Sequence, residues 1–247
     1  MRRLTSSKHQ TNGSVLELIL CSALVAGTTF LANAQPANVP PSARESIEWC
    51  DIWISHANET NLPRVLLVGD SITRAYYSKV ERHLEGKAYV ARFATSRFIS
   101  DPVLLQEIAI VLDNTKFDII HFNNGMHGWQ HGENEYRAAF PQFLSAIKVH
   151  APAAKLIWAN TTTLKVSKPS DEEKQASDER IAARNAIALE FIKPPGIDVD
   201  DLNTLTRGHP EYHSDNVHFN QEGIDLQAAQ VAAHIEKLLK PSARGAF

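Results

Sequence analysis

The sequence predicts a three-layer α/β/α domain, a parallel sheet with helices on both faces. Two observations carry that expectation. Short apolar runs closed by turn residues alternate with longer stretches whose apolar residues recur every three or four positions. This is the pattern of buried parallel strands joined by crossover helices. The 247 residues are 43% hydrophobic and show no internal repeat or second-domain boundary, which suits one sizeable core.

The chain opens on a segment that reads as a secretory leader over residues 1–34. Arg2, Arg3 and Lys8 give a positive start, Leu18 to Leu31 is mostly apolar, and Ala32-Asn33-Ala34 is an A-x-A cleavage site. Glu17, Thr28 and Thr29 leave the apolar run short of the roughly 20 residues a membrane span needs. Residues 35–42, with Pro36, Pro40 and Pro41, read as a linker, and 43–247 as the domain. Cleavage after Ala34 implies a secreted or periplasmic protein that keeps Cys50 alone, hence no internal disulfide. Ile47 to Ile54 has a helix-like apolar face, on which Cys50 is expected to be a packed thiol.

The first strand is Val65-Leu66-Leu67-Val68, closed by Gly69 and followed by a helix bearing Tyr77, Val80 and Leu84. Ala88 to Phe93 is a second strand. Asp101-Pro102 caps a helix with Leu104, Leu105, Ile108, Val111 and Leu112. Phe117 to Phe122 is the third strand. The helix carrying Tyr136, Phe140, Phe143, Leu144 and Ile147 is expected to kink or restart at Pro141. Lys155 to Ala159 and Ile197 to Val199 complete about five strands. Between them a polar stretch, 165–178, leads into a helix through Ile181, Ala188, Leu189 and Ile192. The last helix is capped by Asn220 and runs through Ile224, Ala228, Val231, Ile235 and Leu238.

Chemistry concentrates at two places. Ser71 follows Gly69-Asp70 where a central strand turns into a helix, the position at which open α/β sheets hold ligands. The helix start behind it offers free N–H groups to negative charge. A serine hydroxyl needs a base and the base an orienting acid. Asp215 and His218, in Ser214-Asp215-Asn216-Val217-His218, supply both just before the last helix. The lipase elbow Gly-x-Ser-x-Gly is not met, because Thr73 holds its last position.

Gly69-Asp70-Ser71-Ile72 and Asp215-x-x-His218 resemble the first and last signature blocks of the SGNH, or GDSL, hydrolases. The resemblance implies a flavodoxin-like sheet and ester hydrolysis without metal or cofactor. It implies Ser71 as nucleophile, His218 as base and Asp215 as the acid holding the imidazole. The middle blocks match less well. Ser96 stands where the family has an oxyanion-facing Gly, so its N–H is the expected second donor beside that of Ser71. His121-Phe122-Asn123-Asn124-Gly125 replaces Gly-x-Asn-Asp, making Asn123, or else Asn124, the third donor.

Other residues leave more than one reading. His209-x-x-x-His213 has ligand-like spacing, but Pro210 interrupts any regular helix and no acidic partner motif is present, so no metal is expected. Trp129, near His127, reads equally as a sugar-stacking ring or as a core residue. A net charge of −3 and a pI near 6.4 give no basic footprint for nucleic acid or anionic lipid. The expected function is a secreted serine esterase removing acyl groups, above all acetyl, from a carbohydrate. A lipid-directed or broad arylesterase or thioesterase, and a non-catalytic carbohydrate-binding module, are the alternatives. The oligomeric state is not legible.

Overall fold

Six strands and six helices follow from this sequence in a computed structural model that describes residues 44–166 and 172–239. The leader and linker readings lie outside the described residues. The strands are β1 (Cys50–Ile54), β2 (Arg64–Gly69), β3 (Tyr89–Thr95), β4 (Ile119–Phe122), β5 (Lys155–Ala159) and β6 (Asp198–Asp200). They form one sheet in the order β1-β3-β2-β4-β5-β6, parallel throughout except for β1. The helices are α1 (Ser71–His83), α2 (Pro102–Asn114), α3 (Glu133–His150), α4 (Glu172–Ile192), α5 (Leu202–Thr206) and α6 (Gln221–Leu239).

β2 is buried along its whole length because its side chains feed two cores. Leu66 and Val68 pack with Phe93, Ile120, Phe122 and Trp158 under α2, α3 and α4. Val65 and Leu67 pack with Ile119, Ile157 and Ala159 under α1 and α6. Alternate residues of an extended chain point to opposite faces, so an unbroken apolar run needs cover on both. The three layers follow, as expected from the sequence.

Two local expectations are corrected. The segment read as helix-like, from Ile47, becomes the sixth strand, and Cys50 is exposed at its start rather than packed. Apolar residues at 52, 53 and 54 suit either period. The open edge of β3 decides, pairing Asp51 with Ala94 and Trp53 with Arg92. The Arg92–Asp51 ion pair, 3.0 Å, ties the added strand down. Partial desolvation, followed by the Glu107 carboxylate, pushes the Cys50 thiol up to about 11, so it is no ready nucleophile.

α3 runs unbroken through Pro141. Its missing N–H leaves the carbonyl of Arg137 without an i+4 donor, on the solvent-exposed side of the helix. The caps fall where the sequence places them. The N–H of Val103 donates to Asp101 Oδ1 at 2.9 Å, and that of Gly223 donates to Asn220 Oδ1 at 3.0 Å. Among the described residues no helix is long and apolar enough to cross a membrane.

Candidate active site

The carboxyl ends of the parallel strands β2 to β6 gather the loops that carry the chemistry. At the end of β2 the chain must turn at once, and Gly69 is required by closeness. A Cβ there would stand 2.1 Å from Thr73 Oγ1. Asp70 is the N-cap of α1, its Oδ1 accepting from the N–H of Ile72 at 2.9 Å. Ser71 is thereby the first residue of α1. Among the described residues no acceptor is assigned to its N–H, as the first turn of a helix dictates.

The turn before α6 is closed by a bridge between His213 and Phe219 and by the N–H of Ser214 donating to the carbonyl of His218. It delivers His218 to Ser71: Oγ lies 2.9 Å from Nε2. Asp215 Oδ2 lies 2.9 Å from the other ring nitrogen, Nδ1. With a carboxylate on Nδ1 the neutral ring carries its proton there, so Nε2 accepts from the Ser71 hydroxyl. Asp215 is itself fixed, because Oδ1 accepts from the N–H groups of His218 (2.7 Å) and Val217 (2.8 Å). The His218 N–H, against slight desolvation and aided by that of Val217, pulls its carboxyl to about 2. The side chains of His218 and Asp215 are 47% and 58% exposed, so the three-residue chain opens directly to solvent.

The expected oxyanion donors fare differently. The Ser96 N–H donates to the carbonyl of Trp49 at 3.1 Å, where the chain leading into β1 continues along β3. Its hydroxyl donates to Glu48 and accepts from the N–H of Trp49. Ser96 is therefore corrected from oxyanion donor to a brace for the strand that sequence reading missed. Asn123 Nδ2 donates to Ala159 O (2.7 Å) and Thr161 Oγ1 (2.9 Å), which engages both of its hydrogens. The Asn124 amide donates to the carbonyl of Arg97 at 2.8 Å. Asn123 does line the same small cavity as Asp70 and Ile72, beneath the Ser71 turn.

No protein-family model matches the chain, and no curated protein does. Solved structures do. A GDSL-like lipase from Bacteroides thetaiotaomicron VPI-5482 superposes with TM-score 0.57 at 18% identity, over 70% of this chain and 88% of its own. A carbohydrate esterase family 3 from Talaromyces cellulolyticus gives 0.57 at 17% identity, over 72% and 98%. The lipase/acylhydrolase from Enterococcus faecalis gives 0.57 at 19%, over 73% and 99%. The fold is that of the SGNH, or GDSL, hydrolases.

Within this SGNH fold the loop after β4 is shaped by a residue that sequence reading passed over. Arg184 of α4 is fully buried. Its Nη1 donates to the carbonyls of Gly125 (3.0 Å) and His127 (2.7 Å), and its Nη2 to those of Gly128 (2.9 Å) and His131 (3.2 Å). Phe98, Trp129 and Tyr136 pack around the guanidinium. Burial, then the charge of Arg180, draws its pKa below the ordinary arginine range. Gly128 takes φ +76°, and a Cβ there would meet the Phe98 ring at 2.2 Å, so this loop position needs glycine twice over. The signal was present: Arg184 interrupts the apolar stripe Ile181, Ala188, Ile192 at helical spacing.

The remaining candidates fall into place around it. Trp129 is partly buried, with the guanidinium groups of Arg180 and Arg184 at 5.4 and 5.5 Å from its ring centroid, and acts as a packed rim residue. His127 Nδ1 lies 3.0 Å from Glu45, a residue the sequence did not mark, and that carboxylate also accepts from the N–H of Gly128. Burial works against charge on His127, but the Glu45 hydrogen bond and the nearby Asp70 outweigh it and raise its pKa. His209 and His213, weighed for a metal, have separate partners, Glu211 and the carbonyl of Thr163, and His121 pairs with Asp200. Among the described residues no three potential ligands converge.

Proposed function

We propose that the chain is a secreted serine esterase that removes acetyl groups from a carbohydrate. The hydrogen-bonded chain Ser71–His218–Asp215 at the start of α1 carries this reading. Ser71 Oγ attacks the ester carbonyl carbon while its proton passes to His218 Nε2. The negative charge on the former carbonyl oxygen is met by the Ser71 N–H, and the Asn123 amide would add a second donor only on giving up its hydrogen bond to Thr161 Oγ1. His218 then protonates the sugar oxygen, which leaves, and acetyl-Ser71 remains. Water repeats the sequence, giving its proton to His218 and releasing acetate. Asp215 stays ionised throughout and stabilises the imidazolium.

The rim supports a small acyl group and a polar alcohol. Phe98 and Met126, in the loops after β3 and β4, are buried. The Trp129 ring lies beside two guanidinium groups. That one neighbour of the same fold is described as a carbohydrate esterase agrees with this reading. A lipid-directed site would instead bury acyl methylenes, each contributing about 0.8 kcal/mol. Across 4-nitrophenyl esters, kcat/KM is expected to fall from acetyl to octanoyl, with acetate release from an acetylated glycan panel following. A steady climb toward octanoyl would replace the carbohydrate reading with the lipid one.

A further inference from the structure

α1 carries Ser71 at its first position and Arg74 three residues on, so the two side chains leave one face of the helix a turn apart. Ile72, Thr73, Tyr76 and Tyr77 are buried beneath them, whereas Arg74 is exposed beside the mouth. Its guanidinium is held over the ring of Trp49, Cζ 4.7 Å from the centroid. Among the described residues it makes no ion pair. Stacking occupies only the face of the guanidinium and leaves its in-plane N–H donors free for a planar anion.

The neighbouring charges are already committed to one another. Arg97 is surrounded by Asp101 (2.9 Å), Glu107 (3.1 Å) and Glu48 (3.7 Å). Glu45 is taken by His127 and the N–H of Gly128, and Asp70 by its cap on Ile72. The charge of Arg74, one turn from Ser71, has no carboxylate partner among the described residues. His127 meets the same Trp49 edge-on, ring centroids 6.4 Å apart, with Nδ1 on Glu45 and Nε2 as its remaining polar atom.

We propose that Arg74, steadied on Trp49 with His127 beside it, binds a negatively charged group on the alcohol part of the substrate. The site then takes acetyl esters of acidic sugars, the anion being a carboxylate or a sulfate. This rests on the esterase reading of Ser71. It goes beyond it, because a neutral sugar acetate would use the same triad and leave Arg74 idle.

The test is a matched set of acetylated methyl glycosides: a galacturonate, its uncharged primary amide, and a galactose 6-sulfate. The reading is the ratio of kcat/KM for charged over uncharged substrate. Wild type is expected to favour the charged members by roughly three- to tenfold, the size of an exposed ion pair with a charge-assisted hydrogen bond. Added salt should shrink the ratio. Arg74→Gln should bring it close to one, and Arg74→Lys should restore part of it. A response to galacturonate alone assigns a carboxylate; a response to both anions assigns the charge itself. A wild-type ratio near one, or a ratio that Arg74→Gln leaves unchanged, overturns the proposal while the esterase reading stands. If no ester is turned over, that reading fails instead. Calorimetric binding of the deacetylated galacturonide and its amide then decides for the anion site if the preference is lost in Arg74→Gln, and against it if no preference exists.

Discussion

Ser71→Ala and His218→Ala are each expected to lower ester turnover by on the order of a millionfold, and the double variant to be no worse. In the proposed mechanism the two residues perform one proton transfer over a single 2.9 Å contact, and residues acting as a unit lose their effect together. The fold should survive both changes. Ser71 contributes only a hydroxyl at a partly open helix start, and the turn around His218 is held through backbone groups. Melting temperatures within a few degrees of wild type would show that chemistry, not structure, was removed. Asp215→Asn should lose up to about 10⁴-fold through the wrong imidazole tautomer. Turnover within tenfold of wild type in either single variant, or losses that multiply in the double one, would contradict the shared step.

Arg184→Met should be the most damaging change away from the triad. It takes a donor from four backbone carbonyls of the 125–131 loop. Those of Gly128 and His131 keep the His131 N–H and Arg180 Nη2, while those of Gly125 and His127 lose the only donor they have among the described residues. An unsatisfied buried acceptor costs about 1–3 kcal/mol, and local relaxation recovers part of the sum. A net loss of about 3–5 kcal/mol is expected, or a fall in Tm of roughly 8–16 °C for a domain of this size. Arg184→Lys should fall between, since an ammonium can reach fewer of the four oxygens. Because the loop carries His127 and follows Asn123, kcat/KM should drop with stability. A Tm within about 2 °C of wild type for Arg184→Met would show that the loop holds its shape without the guanidinium.

The layers and the site were legible to different depths. Wherever an apolar run is buried on both faces, as in Val65 to Val68, the pattern admits one reading, and strand, turn and helix follow in order. The edge strand β1 escaped because its residues from Cys50 to Ile54 are half exposed. Its conformation is decided by the distant open edge of β3, not by its own period. Ser71, His218 and Asp215 were readable because each lies at an element boundary marked by Gly69, Asp70 or Asn220. The oxyanion donors were not, since which N–H is free depends on competing acceptors. Trp49 O takes that of Ser96, and Ala159 O with Thr161 Oγ1 takes the Asn123 amide. No spacing rule reports such competition. Arg184 did leave a trace, a charge inside an apolar stripe, but its four partners are carbonyls, which have no sequence signature.

The central claim is that Ser71 is an activated nucleophile, and a serine-reactive fluorophosphonate tests it most directly. Only an oxygen relieved of its proton by a neighbouring base displaces fluoride and keeps the phosphonyl group. Intact-protein mass spectrometry with peptide mapping should find a single adduct on Ser71. Labelling should be lost in Ser71→Ala and strongly slowed in His218→Ala. An unmodified protein after prolonged treatment, or an adduct on another residue with Ser71 untouched, would contradict the account.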